Sequence, residues 1–136
     1  MANFSDGRYL TLIADADYSA AANLFKIVSI AASTANPTGR KVVLATSATD
    51  ANIIGVLNNT PGAGEAASVC GRNAVGTFKV VAGANTAAIS IGDRFTVDTD
   101  SGALKTTSSG NQVVGIALEA AVAGQVFEYL PVNYKY

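Results

Sequence analysis

Two stretches of this chain carry nearly the same pattern, and that repetition limits what the chain can fold into. With Gly55 set against Gly115, Asn52-Ile53-Ile54-Gly55-Val56 falls on Gln112-Val113-Val114-Gly115-Ile116. The correspondence resumes at Gly64-Glu65 against Gly124-Gln125, and each pair leads into a run that ends apolar, Ala66 to Val69 and Val126 to Leu130. A glycine among β-branched residues marks a bulge, a bend or a close backbone approach within a strand. The pattern therefore predicts two similar strand-turn-strand units, each bent at its glycine and facing the other.

Elsewhere the chain reads as short strands divided by turns. Residues 8–13, 24–30, 40–45, 77–82, 93–98 and 125–131 cluster or alternate β-branched and aromatic residues over strand lengths. Turn chemistry separates them at 36–39, 60–62, 82–85, 91–93 and 100–102. The expected class is all-β, a small β-barrel, closed or nearly so, or a curled β-sandwich, with at most one or two short helices. Residues 14–26 are alanine-rich and are left open between a short helix and a strand. Residues 118–124 share that composition, but their counterpart holds Pro61, Gly62 and Gly64, so a loop is expected there. The polar, glycine-containing start suggests an N-terminal arm over residues 1–10, followed by a single β-rich domain over 11–136.

At 136 residues one domain can bury a sizeable core without staples. Cys70 is the only cysteine and has no partner within the chain, which fits a small buried thiol in a reducing compartment. A net charge of −1, with 14% charged residues scattered singly, offers no phosphate-neutralising surface, so no nucleic-acid partner is expected. No apolar run approaches the roughly 18–20 residues of a membrane helix, and residues 1–8 do not read as a secretory signal. The expectation is a soluble protein made in the cytoplasm.

Catalytic chemistry finds little to stand on. Without histidine there is no Ser-His or Cys-His pair and no imidazole ligand. The close carboxylate pairs, Asp15 with Asp17 and Asp98 with Asp100, read as turn or strand-end residues. Asp98-Thr99-Asp100-Ser101-Gly102 opens like a calcium loop, yet its glycine comes too early and Ser109 stands where a bidentate Glu is needed, so a hairpin turn is expected. No catalytic residue, cofactor site or metal site is assigned. The aromatics gather near the ends, with Phe4 and Tyr9 at one and Phe127, Tyr129, Tyr134 and Tyr136 at the other, as contact surfaces often do. Residues 132–136 do not read as a core strand.

The order of these motifs resembles the head decoration, or cement, proteins of tailed bacteriophages. The resemblance covers roughly residues 40–130 and rests on the Ile-Gly-Val strand leading to Gly64-Glu65, "FKVVAG", the "IGD" turn, the aspartate-glycine hairpin and the closing "VGIALEAAVAG". It implies a mainly β protein, usually a homotrimer, on the outside of an expanded capsid at threefold or quasi-threefold positions, bridging major capsid protein subunits and stabilising the shell. On that reading Phe4, Arg8 and Tyr9 are capsid-contact candidates on an arm that docks. Two other readings share the composition: a phage tail-tube, fibre or baseplate component, and a carbohydrate-binding β module.

Overall fold

The computed structural model describes residues 9–31 and 40–136. The first half holds β1 (Tyr9–Ala14), a short 3-10 turn (Ala21–Asn23), β2 (Ile27–Ile30), β3 (Lys41–Leu44), β4 (Ile53–Leu57) and β5 (Ala66–Gly71). The second holds β6 (Phe78–Val81), β7 (Arg94–Val97), β8 (Ala103–Lys105), β9 (Gln112–Ala117) and β10 (Val126–Lys135). The fold is mainly β, as the sequence predicts, and the alanine-rich segment 14–26 contributes only the single 3-10 turn.

In the first half β1-β3-β2-β4-β5 close into a barrel, β5 returning to pair with β1. In the second, β6-β10-β9-β7-β8 form a five-stranded sheet whose outermost strands meet at a single parallel bridge, Ala82 to Ala103, so that it curls into a second, incompletely closed barrel. Matching β1–β5 to β6–β10 in order reproduces every neighbour and every direction, including the parallel β1–β3 pair, whose counterpart is that bridge. The repetition seen in two hairpins therefore extends through the whole described chain.

The match holds at single hydrogen bonds. Gly62 N donates to Glu65 Oε1 at 3.1 Å, and Val122 N donates to Gln125 Oε1 at 3.0 Å. Asn58 N reaches Ser68 O at 2.7 Å, as Leu118 N reaches Glu128 O at 2.9 Å. Gly64 and Gly124 turn the two loops at φ of +76° and +80°. Val28 faces Gly55 across the ladder as Phe95 faces Gly115.

The two interiors are filled differently. Val28, Val42, Leu57, Ala67 and Val69 fill the first barrel. Their counterparts in the second are Phe95, Ala103, Ala117, Phe127 and Tyr129, which belong to a larger core cluster. There Phe95 stands edge-on to Phe127 at 5.5 Å and to Tyr129 at 5.3 Å, the offset geometry aromatic rings favour. Phe127 and Tyr129, expected as contact aromatics, are instead buried because their alternation on β10 points them inward. Residues 132–136 extend β10 but not the core: the strand passes an irregularity after Pro131 and continues to Lys135, with Tyr134 opposite Val113, while residues 133–136 stay exposed.

Candidate functional site

The surfaces that can meet a partner follow from how the barrels are joined. In the first barrel Ile13 N donates to Arg40 O at 2.8 Å and closes the seam between β1 and β3. The equivalent groups of the second, Val81 N and Ser101 O, do not meet. Val81 N donates to Phe25 O at 3.2 Å, and Ser101 O accepts from Ile27 N at 2.7 Å. Residues 25–27 of the first barrel thus enter the seam of the second. Phe25 takes a φ of +67° to do so, where its counterpart Gly92 takes +89°. Lys26 fastens the entry, its Nζ donating to Asp100 O at 2.8 Å and lying 3.7 Å from Asp100 Oδ2.

A second tie runs through Arg72, which is 6% exposed. Its guanidinium donates to Ile53 O (3.2 Å), Gln112 Oε1 (3.3 Å), Val113 O (2.6 Å) and Tyr134 O (3.2 Å), and Nε to Val132 O (3.4 Å). Charge-assisted bonds to five oxygens offset the cost of burying the cation, although burial still lowers the Arg72 pKa. Arg72 sits in a groove of about 580 Å³ between the barrels, with Leu10, Ile54, Asn73 and Asn133 along its sides. Nothing in the sequence marks Arg72; its role depends on β9 and β10 lying beside β5.

The carboxylates of the acidic hairpin are taken up by its own turn, by the neighbouring 84–85 loop and by Lys26. Burial raises the Asp98 pKa, but bonds from Asn85 and Thr99 outweigh it and hold the carboxyl below its ordinary value. Asp98 Oδ2 accepts from Asn85 N at 2.7 Å and Oδ1 from Thr99 N at 2.7 Å, and Asp100 accepts from Ala84 N and Gly102 N, each at 2.9 Å. Cys70 is buried against the Tyr129 hydroxyl at 3.5 Å, and burial pushes its thiol up to about 11.

Of the contact candidates, Phe4 and Arg8 lie outside the described residues. Tyr9 opens β1 opposite Cys70, so Tyr9 and Leu10 of the segment read as an arm belong to a barrel strand. Tyr9 is 43% exposed, and its ring stands edge-on to Phe78 at 5.7 Å at the junction of the barrels. Other exposed apolar side chains include Leu118, Val126 and Leu130 on the second barrel, with Tyr134 and Tyr136 at its end.

A family model described as phage cement protein matches residues 14–131, spanning both barrels. Among solved structures, the chain is similar to the N base of the head fiber gp8.5 in bacteriophage phi29, with a TM-score of 0.63 and 18% identity over 94% of this chain and 98% of that one. At that identity the likeness is one of fold. No curated protein matches the chain in sequence.

Proposed function

The chain belongs to the phage cement protein family, and from that membership we propose that it binds the outer surface of a phage capsid at threefold or quasi-threefold positions and stabilises the shell. The observation that carries this reading is the family match across residues 14–131, which takes in β2 to β9 whole and most of the described chain. In the proposal the protein acts as a homotrimer that bridges major capsid protein subunits. It is made in the host cytoplasm and works by contact, without catalysis or cofactor. Many copies on a lattice sum modest individual affinities, so no single contact has to be strong.

Phe4, Arg8 and Tyr9 are the contact candidates, and Tyr9 is exposed enough to meet a neighbouring surface. The test is occupancy of undecorated capsids by the parent protein and by a variant with Phe4→Ala and Tyr9→Ala, followed by heating of the decorated shells. Two buried interface aromatics contribute about 2 kcal/mol or more, so the variant should bind roughly thirtyfold more weakly. Because Tyr9 also packs on Phe78, circular dichroism and a melting curve must show that the variant stays folded. A parent that leaves capsids bare removes the proposal. Rings or filaments formed without capsid would favour the tail-tube, fibre or baseplate reading, to which the fold likeness to a fiber base lends support.

A further inference from the structure

The two barrels show one seam in two arrangements. In the first, two rungs join β1 to β3: Ile13 N donates to Arg40 O at 2.8 Å and Asp15 N to Val42 O at 3.0 Å. The repeat sets Val81 with Ser101 and Gly83 with Ala103 at the same points of the second. One of those rungs is kept, Gly83 N donating to Ala103 O at 2.8 Å. The other is parted, because Val81 N donates to Phe25 O and Ser101 O accepts from Ile27 N. The second seam is therefore a fork, zipped at Ala82 and Ala103 and held open one rung further on by residues 25–27.

The two sides of the fork are unequally placed to change. Ser101 already has the backbone of a closed seam, with a φ of +69° against +64° at its counterpart Arg40. Phe25 carries the strain of insertion, since a φ of +67° disfavours a bulky residue with a Cβ. A cavity of about 450 Å³ adjoins the fork, with Ala22, Lys26, Val81 and Asp100 along its walls, so Lys26 has space to move into. Other ties between the barrels do not pass through the fork. Besides the bonds of Arg72, Ala48 O accepts from Gln112 N at 2.7 Å and from Thr96 Oγ1 at 3.3 Å.

We propose that the fork is a two-state latch. Residues 25–27 draw back by one rung, Val81 N turns to Ser101 O as Ile13 N does to Arg40 O, and the barrels shift against each other while Arg72 and Ala48 keep them joined. The inserted arrangement is the ground state, and the zipped one is a minor state of the folded protein. The latch is a property of the fold, so it goes beyond the cement reading and does not depend on it. Native-state hydrogen exchange of the full chain tests it, because zipping takes the acceptor from one amide and leaves the other with one. The Ile27 amide should exchange through a partial opening, on the order of a hundredfold or more faster than Val81 after correction for intrinsic rates, whereas Val81 should exchange only with global unfolding. Val69→Ala, in the interior of the first barrel, should speed Val81 about tenfold or more and leave Ile27 unchanged. Lys26→Ala removes the anchor on Asp100 and should speed Ile27 about tenfold. Equal exchange at the two amides in the parent overturns the latch: at the global rate it means that the segment never leaves, and above that rate that the seam frays without zipping. Either result leaves the capsid reading where it stood, and the parent pattern decides even if a variant fails to fold.

Discussion

Arg72 carries a full charge among backbone carbonyls, with no carboxylate among its described partners, so its removal is costly in a specific way. Arg72→Met preserves much of the volume but strands the carbonyls of Ile53, Val113 and Tyr134. We expect a loss of about 3 kcal/mol in urea unfolding, since hydrogen bonds to charged groups are worth roughly 1.5–3 kcal/mol and several are lost together. Arg72→Lys should recover little, because a single ammonium cannot span the oxygens that a planar guanidinium fork reaches. A Lys variant as stable as the parent would mean that charge, and not the fork, is what this position needs.

Gly55 and Gly115 occupy the same place in equivalent strands, yet for different reasons. A Cβ on Gly55 would run into the carbonyl oxygen of Cys70, a backbone atom that cannot move aside. On Gly115 it would meet the rings of Tyr129 and Phe95, which rotate or can be trimmed. Either alanine should destabilise by about 3 kcal/mol, the upper end for forcing atoms into a packed interior. Phe95→Leu should partly rescue Gly115→Ala and do nothing for Gly55→Ala, a difference that a double-mutant cycle on unfolding midpoints reads directly. Much at this scale was legible in the sequence: β-branched runs mark β1, β3, β6 and β7 to within a residue or so, and the paired glycines mark β4 and β9. The continuation of β10 to Lys135 was not, because Pro131 and Asn133 break the strand pattern and only pairing with β9 restores it. The entry of residues 25–27 into the other barrel was equally hidden, since a phenylalanine at positive φ leaves no trace in composition. Of the contact candidates, Tyr9 was recognisable as an accessible aromatic, whereas the tie through Arg72 emerges only once the strands are packed in three dimensions.

The two barrels depend on each other unequally. The first closes with its own strands, but the second has its seam completed by residues 25–27. Expressed separately, residues 1–73 should fold and self-associate through the uncovered Ile27, Val56 and Cys70. Residues 74–136 should lack cooperative unfolding until the first fragment is added; circular dichroism and a melting curve of each fragment and of the mixture decide it. A cooperative transition in residues 74–136 alone would show that the inserted segment is dispensable. The same insertion sets an order in time. During synthesis the N-terminal half leaves the ribosome first and can close before its partner exists. The later half then assembles around a strand already in position, which shortens the search for pairings distant in sequence. In refolding with pulsed hydrogen exchange, the amides of Val28 and Val69 should gain protection before those of Phe95 and Tyr129, so that each completed molecule records the direction in which it was made.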